Sequence, residues 1–183
     1  IDAVKGCREA GIRVAMITGD HAVTASAIGE MFGIARDRSE VLTGKELETM
    51  SDDDLFGRVK DVSVYARVSP QHKLRIVQQV MKHGEVVAVT GDGVNDAPAL
   101  KAAHIGVAMG KTGTDVAREA SDMVITDDNF ASIFHAVEEG RVVFDNIRKV
   151  TLFLIPTGLA AIVSILVAMA IGSGCSSTAA SCC

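Results

Sequence analysis

Three short stretches carry residue types that together could handle a phosphoryl group. The richest is Thr90-Gly91-Asp92-Gly93-Val94-Asn95-Asp96-Ala97-Pro98. Two glycines permit a sharp turn with little steric hindrance, and Asp92 and Asp96 can aim hard oxygens at one small site. Such a donor set suits Mg²⁺, which takes one or two carboxylates and fills its other positions with water and phosphate oxygens. Asn95 is spaced to hydrogen-bond what the metal holds. A Gly/Asp turn with Asp96 capping the next helix accounts for Gly91 and Asp96, but gives no reason for two carboxylates beside an amide. The second stretch, Thr18-Gly19-Asp20, sets a hydroxyl, a bare backbone and a carboxylate at a helix start, where exposed N–H groups and the helix dipole favour an anion. Taken alone, the tripeptide reads more readily as a turn with Asp20 as helix cap. The third is Arg67-Val68-Ser69-Pro70-Gln71-His72-Lys73, with Ser69 and Pro70 in cap and first-turn places. Lys73 there opposes the helix dipole by about 0.3–1 kcal/mol, so an offsetting anion such as a bound phosphate fits, and a solvent-facing lysine is the plain alternative. His72 has no partner spacing for a metal and reads as a surface or packing histidine. Gly106-Val-Ala-Met-Gly110-Lys111-Thr112 imitates a nucleotide-binding P-loop, but has three residues between its glycines where that loop needs four.

These stretches follow short apolar runs, and the runs say what must position them. IRVAMI (12–17), VSVY (62–65), VVAV (86–89), IGVA (105–108) and MVI (123–125) suit strands of a parallel sheet covered on both faces. Residues 21–32, 70–83, 97–103 and 113–121 show helical spacing, with Gly11, Gly33, Gly84 and Gly106 punctuating the ends. Strand then helix, repeated, predicts an α/β doubly wound parallel sheet, in which ligands sit beyond the carboxyl ends of the strands. The acidic stretch 46–61 reads as an exposed helical excursion rather than a metal cluster.

Composition narrows the function classes. Of 183 residues, 22% are charged and 48% hydrophobic, as in ordinary folded protein, and the net charge of −5 with no Trp and one Tyr disfavours nucleic acid. The last acid is Asp145 and the last base Lys149, and Val150–Ile171 is uncharged and long enough to cross a hydrocarbon layer of about 30 Å. Thr151, Thr157 and Ser164 are too few to give that segment a polar stripe, so a spanning helix is expected rather than a buried core helix. Arg141, Arg148 and Lys149 before it place the soluble part in the cytoplasm. Cys7, Cys175, Cys182 and Cys183 form neither a disulfide framework nor a zinc pattern, and residues 172–183 are a low-complexity tail given no function. The resulting division is a soluble domain at 1–129, a stalk helix at 130–149, a membrane helix at 150–171 and the tail. Ile1 opens the chain without a Met, in what reads as the middle of a helix, so the chain looks like an excerpt of a longer protein.

MITGDHAVTASAIG, ARVSPQHK, VAVTGDGVNDAPALKAAHIGVAMGKTGTDVAREASDMVITDDNF and AVEEGRVVFDNIRK occur in one order over nearly all of residues 1–150. Together they resemble the phosphorylation domain of P-type cation-transporting ATPases, which have the haloacid-dehalogenase-like, Rossmann-like fold; the class that includes calcium pumps is most similar. The resemblance implies that Thr18, Gly19 and Asp20 contact phosphate and nucleotide, that Arg67 contacts nucleotide, and that Lys73 neutralises the transferred phosphoryl group. It makes Asp92 the Mg²⁺ ligand, Asp96 a support of that metal site, and Asn95 a contact to the nucleotide phosphates. ATP, Mg²⁺, a transported cation, a lipid membrane and the remaining pump domains are the implied partners. The family nucleophile is the aspartate of a DKTGT motif, absent from this chain, so the chain alone is expected neither to hydrolyse ATP nor to transport. Phe130, Ile133, Phe134 and Val137 fall on one face of a stretch resembling the stalk into the fifth membrane helix, which Pro156 would kink. Calcium and sodium-potassium pumps carry an asparagine and a carboxylate on that helix where Gly158 and Ala161 stand here, which departs from calcium specificity. The alternatives are a soluble phosphohydrolase of the same fold and a non-catalytic, membrane-tethered Mg²⁺/phosphate-binding module.

Overall fold

The computed structural model describes residues 1–178, with side chains through Ile171. It comprises two compact units, Ile1–His135 and a second that begins at Ala136. The first unit opens with α1 (Asp2–Glu9), β1 (Met16–Thr18) and α2 (Ala22–Met31), then β2 (Val41–Thr43), α3 (Gly44–Thr49) and α4 (Asp52–Arg58). There follow β3 (Val64–Ala66), α5 (Pro70–Lys82), β4 (Ala88–Gly91), α6 (Ala97–Ala102), β5 (Ile105–Met109), α7 (Asp115–Glu119) and β6 (Met123–Ile125). α8 runs from Phe130 to Thr178.

All strand pairs are parallel, as the β-branched runs predict, but the strands form two sheets of three, ordered β1-β3-β2 and β4-β5-β6. β1 and β4 are therefore both edge strands among the described residues. Three of the hydrogen-bonded strands are shifted toward the carboxyl ends of their apolar runs: 12–17 yields Met16–Thr18, 62–65 yields Val64–Ala66 and 86–89 yields Ala88–Gly91. Pairing explains the shift, since β1 has a neighbour only over Met16↔Val64 to Thr18↔Ala66. The sequence reading missed β2, a three-residue strand whose register places Thr43 beside Ala66. Gly11, Gly33 and Gly84 take positive φ just past α1, α2 and α5, as helix-ending glycines do. Gly106 instead sits inside β5, where a Cβ would come within 2.7 Å of Leu100 O.

The 46–61 excursion is helical, as expected, but it is not merely a solvated face. Its Leu47, Leu55 and Val59 are fully buried with Leu42, Val62, Tyr65 and Ile76. The acids stay outside and cap: Thr43 and Glu46 exchange hydrogen bonds in a capping box on α3, and Ser51 accepts from Asp54 N on α4. The Thr43 hydroxyl and amide hold the Glu46 carboxyl below its usual value. Arg75 of α5 fastens the excursion by donating to Leu47 O and Met50 O, each at 2.6 Å, and to Asp52 Oδ1.

In the second unit, α8 continues without a break. The stretch Phe130–Ile171 is long and apolar enough to cross a membrane, with an apolar window of mean hydropathy 2.4, none of it buried within the structure. Pro156 lies inside α8 without ending it, although it has no N–H for the Leu152 carbonyl. The Thr151, Thr157 and Ser164 hydroxyls donate to the carbonyls of Ile147, Phe153 and Ala160, so these polar groups are satisfied within the helix, as a hydrocarbon environment requires. Residues 179–183 of the low-complexity tail, including Cys182 and Cys183, lie outside the described residues.

Candidate functional site

The turns after β1, β2 and β3 share one sheet end, because Thr18, Thr43 and Ala66 are in register. Thr18 Oγ1 donates to Asp20 Oδ2 at 2.9 Å and accepts from Asp20 N at 3.1 Å. Asp20 does not cap α2; the cap position belongs to His21. A Cβ at Gly19 would meet no protein atom within 4 Å, so the backbone there stands open to a ligand. Arg67, exposed after β3, has a left-handed φ of 52°, and its N–H donates to Asp20 O at 3.1 Å. Non-glycine residues in that conformation concentrate at functional sites.

α5 begins as predicted, with Ser69 as cap and Pro70 in its first turn. His72 is not a bare surface residue: its Nδ1 accepts from Ser69 N at 3.2 Å while its own N–H donates to Ser69 Oγ. The imidazole thus replaces the usual Glu or Gln of a capping box, which is why the pattern did not reveal it. One residue on, the Lys73 ammonium donates to Asp96 Oδ1 in an ion pair. The anion that offsets Lys73 against the helix dipole is therefore a carboxylate of the chain itself.

Asp96 is only 7% exposed, and its Oδ2 accepts from Asp92 N and Gly93 N, each at 3.4 Å. Gly91 makes this packing feasible, since a Cβ there would lie 2.5 Å from Asp96 Cβ. The glycine supplies space rather than an unusual dihedral angle. The Lys73–Asp96 pair also links the two sheets, because α5 follows β3 and Asp96 follows β4. Asp92 and Asn95 are both exposed beside it, and the Asp92 carboxylate has no partner among the described residues.

For Mg²⁺ the donor set fits in a limited form. No group of three acidic, His or Cys side chains converges among the described residues, so these offer no all-protein cage. One free carboxylate at Asp92 is what a magnesium held mainly by water and phosphate oxygens needs. Both Asp96 oxygens are already engaged.

A profile of haloacid dehalogenase-like hydrolases matches residues 1–104, and a second profile of the same description matches residues 72–137. The chain belongs to the haloacid dehalogenase-like hydrolases. Within this family it is similar to cation-transporting ATPases. It is 51% identical over 171 residues to a calcium-transporting ATPase 1 of Bacillus cereus, covering 93% of this chain and 19% of that protein. It is 55% identical over 175 residues to a probable cation-transporting ATPase F of Mycobacterium tuberculosis, with the same coverage of each chain. The chain spans about a fifth of the length of these relatives. Among solved structures, a zinc-transporting PIB-type ATPase aligns with a TM-score of 0.61 and 29% identity, over 81% of this chain and 20% of that one. The catalytic domain of the CPx-ATPase CopB-B aligns with a TM-score of 0.56 over 74% of this chain and 43% of that one, and at 22% identity shows the fold alone. This haloacid dehalogenase-like chain thus corresponds to part of the phosphorylation domain of a P-type cation ATPase.

The P-loop imitation in this haloacid dehalogenase-like domain has an unforeseen use. The N–H groups of Gly110, Lys111 and Thr112, with the Thr112 hydroxyl, all donate to the Asp128 carboxylate at 2.7–3.0 Å. Arg118 holds the other side of the loop by donating to Gly110 O and Gly113 O. The loop therefore cradles an anion, but an internal one, just before α8 begins. Asp128 has a left-handed φ of 56°, and its short TDDNF context reads as an ordinary turn. The Lys111 amide first, helped by the Thr112 and Gly110 donors against some desolvation, holds the Asp128 carboxyl at about 2. A lowered folded value means stability present above the ordinary carboxyl range and lost as pH falls toward 2. Asp128→Asn is expected to be less stable than the parent at neutral pH, by a margin that closes between about pH 4 and 2. Urea unfolding across that range checks it; a margin independent of pH would contradict the ionised cradle.

Proposed function

We propose that this chain forms the Mg²⁺- and phosphoryl-binding part of an ATP-driven P-type cation pump, joined to one of the pump's membrane helices. The observation that carries the reading is the Lys73–Asp96 pair bridging the two sheets beside the unpartnered Asp92 carboxylate. Thr18 and Gly19 offer a hydroxyl and an open backbone to phosphate oxygens, and Arg67 offers a guanidinium to the nucleotide. Lys73, kept in place by Asp96, supplies positive charge where charge spreads over the phosphoryl oxygens. Asn95 orients the nucleotide phosphates. Asp92 would hold Mg²⁺, whose contribution when bound is to neutralise phosphate charge and fix its geometry. The aspartate that accepts the phosphoryl group is not in this chain, and the unpaired edges of β1 and β4 leave places in the hydrogen-bonding pattern for a further strand bearing it. The basic residues Arg141, Arg148 and Lys149 favour a cytoplasmic position for the first unit. The uncharged Val150–Ile171 supports a pump whose cation ligands come mainly from other helices.

Titrating the chain with Mg²⁺ and a phosphate mimic tests this reading. Ligand at a hundred times its dissociation constant stabilises the folded state by about 2.7 kcal/mol, and Asp92→Asn is expected to remove most of that gain without lowering the stability of the ligand-free chain. An unchanged gain in the variant would rule out Asp92 as the metal ligand. The isolated chain is further expected to form no acid-stable phosphoenzyme with labelled ATP, and incorporation of label would contradict an external nucleophile.

A further inference from the structure

His21 occupies the cap position of α2, where Ser, Thr, Asp or Asn ordinarily turns a side-chain oxygen onto the helix amides. Its side chain makes no such bond. Its Nε2 instead receives a hydrogen bond from the Arg67 guanidinium, across 46 residues of sequence. A guanidinium has donors only, so in this contact Nε2 is the acceptor. Both side chains are exposed, so neither is drawn to the other by burial.

The Arg67 backbone is fixed as tightly. Its N–H is tied to Asp20 O, the following Val68 N–H reaches Thr18 O at 3.4 Å, and its carbonyl packs onto Gly44, where a Cβ would stand 2.0 Å away. Three turns, after β1, β2 and β3, thus hold this arginine in a left-handed conformation that a long side chain rarely takes. A free arginine samples many rotamers, and losing that freedom opposes each contact it makes.

We infer that His21 is a positioning residue for Arg67: its Nε2 holds the guanidinium pre-oriented toward the phosphates of a bound nucleotide. The inference rests on the reading of Arg67 as a nucleotide contact. Any change that removes the acceptor at Nε2 releases the guanidinium to solvent and weakens nucleotide binding without touching the reacting atoms.

The test is steady-state ATPase kinetics in the full-length protein that carries this chain, with ATP as the probe. His21→Ala is expected to raise the KM for ATP about fivefold to tenfold with kcat within a factor of about two, the size of one ordinary hydrogen bond lost at an exposed site. His21→Gln, whose amide oxygen reaches the Nε2 position, is expected to restore KM to within about twofold of the parent. Arg67→Ala raises KM alone, and adding His21→Ala to it has no further effect, because the histidine acts only through the arginine. A structural cap role would instead lower the melting temperature of His21→Ala and leave KM unchanged. If Arg67→Ala raises KM while His21→Ala leaves it at the parent value, the positioning role is overturned and the nucleotide contact stands. If Arg67→Ala itself has no effect on KM, the underlying reading fails and the inference falls with it.

Discussion

Lys73→Met is expected to destabilise the first unit by about 3 kcal/mol, because removing one member of a buried ion pair strands the other. Asp96 has almost no access to water, and its two remaining donors, the Asp92 and Gly93 amides, stand at 3.4 Å, long for hydrogen bonds. Methionine fills the volume of the lysine stem, so lost packing contributes little. The Lys73 side chain is 27% exposed, so water can partly replace the ammonium, and the loss belongs at the low end of the range for buried pairs. Adding Asp96→Asn to Lys73→Met should return a large share of the stability, since an amide in that place needs no counter-charge. Urea unfolding of the two single variants and the double variant measures the coupling directly. Single-variant losses that simply add would mean that the two side chains do not depend on one another.

Gly44→Ala is expected to cost about 3 kcal/mol, at or above the usual penalty for overpacking. The new methyl would lie 2.0 Å from Arg67 O and 3.0 Å from Arg67 C, both backbone atoms, with His72 Nδ1 at 3.4 Å. Relief requires moving the turn after β3, which holds Arg67 and leads into the Ser69–His72 cap, so nucleotide affinity should fall together with stability. Gly57→Ala is the matched control. It lies in α4 with nothing within 4 Å of the added carbon, and alanine there should stabilise by about 0.5–1 kcal/mol. Equal melting temperatures for the two variants would contradict the close approach at Gly44.

The placement of the candidate site residues was legible in the sequence where the strand pattern carries it. Asp92, Asn95 and the Thr18-Gly19-Asp20 turn stand at strand ends, as the doubly wound pattern requires. The partner of Lys73 was not legible, because Asp96 belongs to the other sheet and only the packing of α5 against α6 brings it near. The anion cradle at 110–112 was readable as a loop type but not as to its occupant, since Asp128 in a run of turn-forming residues has nothing that marks it as a ligand. β2 escaped because three residues between charged segments give no period, and its existence depends on pairing with β3. The burial of Leu47 and Leu55 escaped because a dense acidic pattern hides two apolar residues that lie on the inward side of separate short helices.

The two sheets are drawn from consecutive blocks of sequence, one complete by Ala66 and the other starting at Ala88, so no strand pair crosses the turn at Gly84. A nick there would cut a connection but break no ladder. Two pieces cut there would each keep a three-stranded ladder, and among the described residues they would meet through α5 against α6, the Lys73–Asp96 pair and Phe134 against Gly6. Fragment complementation would test this arrangement, since a reporter joined to each piece would register whether that seam is closed.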